Sequence, residues 1–568
     1  MNNEIKNLEK LLDFDLNNKN FIIDNIIEHH FKINNNNSVD ISNEIFKDTN
    51  ILNWGENIPI LQGSKKLFTN ILKNPINDKN LLLSRQKSYF NDYDEASFEI
   101  LKEFESDILW IYKLNHEIGN DNMINVLFPN SFLWKYINHY EYLLDSYHIY
   151  KILFIPLSTL FYPLSALIGP YIYLRKYLKF DMKITDYLGI IKNFFSLFFK
   201  RTNNFKFNIF KFIVFIIYVS IYVYSIYQTF EFSYMLYKTK KTLHKKMHGV
   251  INFINEANTI IDYYYKNHDL YNILKPFTEH IYEPNSIKLT NTMTNIHNIW
   301  KNDNMKKNIS KLLISIYTLD IINEISKIKF NKLLSTPEYN NTVTKLWNIK
   351  NPLLDDKQIS NPVNLSKNFI ITGPNAAGKT TYVKSILSNI ILSQTIGLTY
   401  SKKSSMIIYD CIYSFMRISD ELGTKSYFEA EAELCANMIE KANNLIDGNK
   451  KGIFFMDEPM HSTPPTEGIA TAFAVAEKLG NNPNINLIIT THFYKLTNLE
   501  KIYPNRFINL SVNAIENNDN SFTFPYKIKR GSSKQCIAIE LLYNKNFPLD
   551  VINAAKNMKK IICDNILD

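Results

Sequence analysis

An apolar run at 369–372 leads into Gly373-Pro374-Asn375-Ala376-Ala377-Gly378-Lys379-Thr380-Thr381 and then into a helical run at 382–391. Strand, glycine-bounded loop and helix in this order fit G-x-x-x-x-G-K-[ST], and no other stretch restricts the possible folds as much. Glycines at both ends let the backbone wrap closely around phosphate oxygens, because no Cβ stands in the way. The loop N–H groups and the N-terminus of the following helix aim positive charge at an anion. Lys379 adds a full charge near the β- and γ-phosphates of a nucleotide, and Thr380 offers its hydroxyl to Mg²⁺. The reading is a site for ATP and Mg²⁺ at 373–381.

A second apolar run, Gly452-Ile-Phe-Phe-Met, ends in Asp457-Glu458. Two adjacent carboxylates at a strand tip repel unless a cation or a proton transfer uses them. Asp457 is expected to hold Mg²⁺ through its water shell, and Glu458 to orient and deprotonate the attacking water. The run 487–491 ends in His492, where an imidazole can sense the γ-phosphate or simply sit satisfied in a loop. Between the two motifs, Ser426 is placed to cap a helix over 427–444 and present its N-terminus to an anion.

Around these motifs, from 346 onward, apolar runs at 369–372, 411–418, 453–456 and 487–490 alternate with helical patterns, which predicts a largely parallel sheet. The runs 508–512 and 522–528 read as a late hairpin, and Pro548 opens a last helix. Upstream the pattern is helical. Residues 1–57 form a polar, partly helical start with an Asn run at 34–37, and 58–150 show Phe98, Leu101, Phe104 and Ile108 at helical spacing. Residues 236–345 return to amphipathic helix, with Leu312, Leu313, Ile316, Leu319, Ile322 and Ile325 on one stripe.

Residues 151–235 differ. The segment 152–174 is 23 residues without a charge, and 212–230 is 19. Crossing a bilayer core takes ~20 apolar residues as helix, so both reach. The competing reading is a pair of buried core helices, which rarely lack a polar face over such a length. Pro156, Pro163 and Pro170 would kink the first segment, which leaves a re-entrant path open. Arg175, Lys176, Lys179, Lys183, Lys192, Lys200, Arg201, Lys206 and Lys211 between the segments pull that loop to the cytosol, whereas Lys238, Lys240, Lys241, Lys245 and Lys246 pull the other way. Nucleotide chemistry decides for a cytosol-facing ATPase, with a soluble intracellular protein as the alternative.

Composition excludes some classes. With 45% hydrophobic and 21% charged residues the chain is packed rather than disordered. Cys411, Cys435, Cys536 and Cys563 have no C-x-x-C spacing, so neither a zinc site nor a disulfide framework is expected. The polar, mixed-charge first twenty residues carry no secretory pattern. A net charge of +9 permits contact with nucleic acid or anionic lipid without requiring either.

Taken together the motifs resemble the MutS family of DNA mismatch-repair ATPases. Thr372-Gly-Pro-Asn-Ala-Ala-Gly-Lys-Thr-Thr381 resembles its TGPN-x-x-GKST loop, and the stretch from Arg417 to Glu431 its R-I-G-A-x-D-D-L…S-T-F-x-x-E segment. Asp457-Glu-Pro-Met-His-Ser-Thr463 is similar to DEIGRGT, and Thr490-Thr-His-Phe-Tyr-Lys-Leu496 to ATHYHEL. Asn351-Pro352 and Asn361-Pro-Val-Asn364 match the entries to the domain, and Ser84-Arg85-Gln86 and Leu319-Asp320 its helical core. The resemblance is dense over 346–560 and thin elsewhere. It implies that Asn375, Lys379 and Thr380 are nucleotide and Mg²⁺ ligands, Asp457 the metal aspartate, Glu458 the base and His492 the sensor. It implies further that Ser426 reaches the ATP of a partner subunit, that the protein is a dimer, and that the tail after Lys529 clasps it. Departures fall at Ala376-Ala377, at His461-Ser462 in place of Arg-Gly, and at Pro464-Pro465. One match to the family's Phe-x-Glu mismatch wedge, Phe277-Thr278-Glu279, stands in the wrong region, and no room remains for the mismatch-reading domain.

The expected architecture is therefore an α+β multidomain protein: an all-α core and lever with a two-helix membrane hairpin, then a P-loop α/β ATPase domain of ABC type at 346–568. Two functional readings follow. One is a DNA-binding, mismatch-repair-type ATPase dimer. The other is a membrane-anchored ATPase switch acting on a membrane partner.

Overall fold

The computed structural model describes residues 16–31, 38–91, 96–117, 126–132, 134–200, 205–355, 357–416, 427–461, 463–517, 522–535, 537–543 and 547–565. By contact the chain divides into two compact units. One draws on Met1–Asn25, Glu103–Ile260 and Tyr282–Leu312, the other on Ile26–Lys102, Ile261–Ile281 and Leu313–Asp568.

The second unit is built on a seven-stranded sheet. Its strands are β1 (Asp40–Ile41), β2 (Asn368–Thr372), β3 (Cys411–Phe415), β4 (Gly452–Asp457), β5 (Ile485–Thr490), β6 (Phe507–Val512) and β7 (Ile528–Arg530), in the order β1-β3-β4-β5-β2-β6-β7. All neighbours are parallel except β6 and β7, which pair antiparallel at one edge. A parallel sheet has both faces covered, which is why β2 and β3 are buried at every position and read as unbroken apolar runs. The helices Lys379–Thr395, Tyr427–Asp447 and Pro465–Gly480 belong with the sheet, and Met438, Leu445, Ala476 and Leu479 pack with Phe454, Leu487 and Phe507 in one core. A smaller four-stranded sheet joins Glu338–Tyr339, Lys345–Ile349, Asn361–Asn364 and Lys403–Met406.

Two features of this unit lie outside what the sequence pattern predicts. The polar start of the chain contributes β1, an edge strand pairing Asp40 with Cys411 and Ile41 with Ile412. Between Leu313 and Ser326 the helix Asp303–Phe330 is buried all round rather than on one stripe: Ile314, Tyr317 and Ile321 are as buried as Leu319 and Ile322. That burial forces its polar residues to find partners. The Asp320 carboxylate accepts from the backbone N–H groups of Leu61 and Ile60 at 2.9 and 3.1 Å, at the start of the helix Gln62–Lys73. Burial outweighs those bonds and pushes its pKa up to about 7.

The first unit is helical. A widened turn, Tyr150–Phe154, separates Glu141–Ile149 from Ile155–Lys176. It falls directly before Pro156, whose missing N–H would otherwise break the α ladder. Ile155–Lys176 continues through Pro163 and Pro170 without interruption. It runs antiparallel to Phe205–Asn267: the Tyr222 hydroxyl donates to the carbonyls of Thr159 and Leu160, each at 3.1 Å, and the Ser233 hydroxyl to that of Ile152. Ile184–Phe199 folds back so that the Tyr187 hydroxyl reaches the Leu167 carbonyl at 2.7 Å.

The long helix changes character along its length. Between 209 and 224 its apolar side chains are exposed, whereas Leu236, Leu243, Met247, Val250 and Ile254 form a buried stripe. Of the most apolar windows of the two helices, 6% and 0% of residues are buried inside the protein, so neither window packs into its core. Both are long and apolar enough to cross a membrane by length and composition.

Candidate functional site

The carboxyl ends of β4, β5 and β2 lie side by side, because Asp457 is in register with Thr490 and Thr490 with Ile371. In an open parallel sheet this edge is where ligands sit. Asn375, Lys379, Thr380, Asp457, Glu458 and His492 each follow one of these three tips or end it.

The loop after β2 is tight. Gly373 (φ +151°) passes the Val512 carbonyl so closely that a Cβ would lie 2.3 Å from its oxygen. Gly378 (φ +94°) is left-handed and faces the Tyr526 ring, and between them Ala376 adopts φ 64°. Lys379 opens the following helix, buried, with Nζ donating to the Gly373 carbonyl at 2.9 Å and 3.5 Å from Glu458 Oε1. Burial lowers its pKa, partly offset by Glu458 and Asp457. A buried ammonium held by loop carbonyls and one carboxylate is a group poised for anionic oxygens.

The Thr380 hydroxyl donates to Asp457 Oδ2 at 2.8 Å, and the Thr490 hydroxyl to the other carboxylate oxygen. Hydroxyl and carboxylate together are a hard oxygen donor set, which suits Mg²⁺. Glu458 (φ 54°) and Met460 (φ 60°) both hold left-handed backbone, an arrangement that costs energy and turns the carboxylate back toward the loop. His492 Nε2 lies 2.7 Å from Glu458 Oε1, 2.7 Å from Asn375 Oδ1 and 3.3 Å from Lys379 Nζ. The hydrogen bond from His492 holds Glu458 below the usual carboxylate range, with Lys379 adding to the effect. Asn375, Lys379, Thr380, Asp457, Glu458 and His492 thus form one connected cluster.

Beside this cluster lies a cleft of about 600 Å³. Pro374, Asn375, Ala376, Gly378, Lys379, Thr380, Thr381 and Glu458 form its loop side. The opposite side comes from Ile349, Leu354, Gln358, Ile359, Asn361 and Tyr526, none of which motif reading singled out as ligands. Asn361 ties Tyr526 into this side, donating to the Tyr526 carbonyl at 2.9 Å and accepting from the Ile528 N–H at 3.0 Å. The one available signal was the Asn361-Pro-Val-Asn364 stretch; Tyr526 enters only through folding.

Ser426 and the stretch 417–425 lie outside the described residues, as does Ser462. His461 and Glu431 are brought together, with Nδ1 3.3 Å from Oε1 of a carboxylate that is 1% exposed. Phe277 and Thr278 are buried, and the Arg85 guanidinium stands 4.9 Å over the Phe277 ring, so this Phe-x-Glu match is a packing element. Arg85 itself was noted only as part of a helical pattern. Its Nε donates to the Pro276 carbonyl at 3.0 Å and its Nη1 to the carbonyl of Thr395, the last residue of the helix that Lys379 opens.

Residues 369–562 match the family model described as MutS domain V. DNA mismatch repair protein MutS of Finegoldia magna is 31% identical over 193 residues, covering 34% of this chain and 22% of that protein. The Clostridium perfringens protein of the same name is 30% identical over 257 residues (43% and 27%), and that of Fervidobacterium nodosum 26% over 265 residues (45% and 31%). The chain thus spans less than a third of the length of these relatives.

Proposed function

We propose that this chain, whose residues 369–562 match MutS domain V, is an ATP-hydrolysing switch whose nucleotide lies in the cleft between the 373–381 loop and Tyr526. The observation that carries this reading is the convergence of Lys379, Thr380, Asp457, Glu458 and His492 at three adjacent strand tips. Lys379 exchanges its loop carbonyls for phosphate oxygens. Thr380 and Asp457 would hold Mg²⁺, which would supply neutralisation of charge on the phosphates. Glu458, kept ionised by His492, accepts the proton of the attacking water, and His492 links that carboxylate to Asn375 in the loop. Arg85 connects the far end of the same helix to the 273–277 segment, so a shift of the loop is passed to helical parts of the same unit.

The finer reading is a dimer in which Ser426 completes the partner's site and DNA is the ligand that the switch acts upon. The names of the relatives and the basic residues support it. A second reading rests on the exposed apolar faces of Ile155–Lys176 and of 209–224: the engine is anchored in a membrane and acts on a membrane partner. ATP turnover by the full-length protein in detergent, with and without duplex DNA, tests both. Salt-sensitive stimulation by DNA supports the first; robust turnover indifferent to DNA supports the second; no turnover at all overturns the ATPase assignment.

A further inference from the structure

Away from the nucleotide cleft, the first unit contains an open groove of about 850 Å³ lined by Lys135, His139, His297, Lys301, Asn138 and residues 302–305. Its floor is a buried imidazole. His297 is 5% exposed, wedged between the rings of Phe128 (5.2 Å) and His139 (6.0 Å); the Asn298 side chain stands beside it, but among the described residues neither ring nitrogen has a hydrogen-bond partner of good geometry. Asn138 is 1% exposed; its amide donates to the Pro129 carbonyl at 2.9 Å, which leaves its Oδ1 buried and unbonded. Buried polar atoms are nearly always satisfied, so two such residues lining one groove point to a ligand that satisfies them.

The charges around them have one sign. Among the described residues no carboxylate lies within ion-pair distance of Lys135 or Lys301, and the Lys135 ammonium rests over the rings of Phe132 and Tyr136 at 5.3 and 5.4 Å. The one carboxylate in the lining, Asp303, is paired with Lys306 at 3.1 Å. Burial, then Lys301 and His139, push the His297 pKa down to about 4, which a neighbouring anion would reverse. The start of the helix Asp303–Phe330 also faces the groove, with Asn302 Oδ1 accepting from the Asn304 N–H at 3.0 Å.

The groove is preorganised. The helix Met293–Lys301, which carries His297 and Lys301, is held at its N-terminus by Glu141, whose carboxylate accepts from the Met293 and Thr294 N–H groups and from the hydroxyls of Thr292 and Thr294, each within 2.9 Å.

We infer that this groove binds a phosphate-bearing anion, with Lys135 and Lys301 as charge partners and His297 as a buried donor. The ligand is either free phosphate or the headgroup of an anionic lipid. The lipid source fits the neighbourhood, because Trp134, Tyr136, Tyr140 and Tyr142 are exposed just ahead of the apolar helix, as interfacial aromatics are.

The test is calorimetric titration of the full-length protein in detergent with inorganic phosphate, with short-chain phosphatidic acid and with short-chain phosphatidylcholine. A Lys379→Ala background removes phosphate binding at the nucleotide loop. Phosphate or phosphatidic acid is expected to bind in that background, phosphatidylcholine not. Lys301→Gln and Lys135→Gln should each raise Kd at least tenfold; tested in the native background, their ATP turnover should be unchanged, which shows them folded. Phosphate alone identifies the free ion, phosphatidic acid alone the lipid. Binding that disappears with Lys379→Ala, or that ignores both lysine variants, overturns the inference. So does binding of an oligonucleotide through these lysines when neither small anion binds.

Discussion

Glu458→Gln separates binding from chemistry, because it keeps the shape of the side chain and removes only its charge and basicity. Glu458 Oε1 stands 3.5 Å from Lys379 Nζ. Two unit charges at that distance attract by about 5 kcal/mol at an effective dielectric of ~20. The Glu458 side chain is 32% exposed, so solvent screening brings the usable interaction to about 2 kcal/mol. The variant therefore releases Lys379 toward the nucleotide rather than weakening its hold. ATP affinity is expected to stay equal or rise by up to roughly tenfold, while loss of the base lowers turnover by about 10²- to 10⁴-fold. Single-turnover hydrolysis and equilibrium nucleotide binding, measured on the same full-length preparation, give the two numbers separately. Hydrolysis within threefold of the parent would show that Glu458 is not the base. A loss of binding as large as the loss of turnover would show that its role is structural.

Other perturbations probe the parts around the site. Arg85→Met leaves the Pro276 and Thr395 carbonyls buried without their donor, so unfolding stability should fall by about 2–5 kcal/mol, read as a lower thermal midpoint; an unchanged midpoint would remove the connection drawn to the nucleotide helix. Asp320 has a folded-state pKa raised to about 7, so its proton is held more tightly in the folded protein. Its stabilising contribution is full below pH ~4 and is lost as pH rises through about 7, an effect of up to about 4 kcal/mol. Asp320→Asn should flatten the stability profile over that window, and an unaltered slope would assign it to another group. Alkaline carbonate should leave the protein in the membrane pellet if Ile155–Lys176 and 209–224 insert; quantitative release would end the anchored reading.

The residues proposed to handle a nucleotide could be picked out in the sequence because each motif is local. Gly373, Gly378, Lys379 and Thr380 lie within eight residues, and Asp457 and Glu458 are adjacent, so strand and loop geometry alone dictates what they can do. The apolar length of 152–174 and 212–230 was equally plain, since length and charge are properties of a segment. What folding decided is everything that depends on distant residues meeting. Register across three strands brought His492 to Glu458 and Asn375, and a loop over 140 residues downstream put Tyr526 across the cleft from Gly378. The polar N-terminal region supplied β1 because two residues suffice to extend an exposed sheet edge, too short a stretch to leave a periodic signal. Arg85 and Asp320 became clamps only because burial left backbone groups needing partners. The groove around His297 likewise exists only where Met293–Lys301 packs near residues 135–139, a pairing that no segment of the sequence contains by itself.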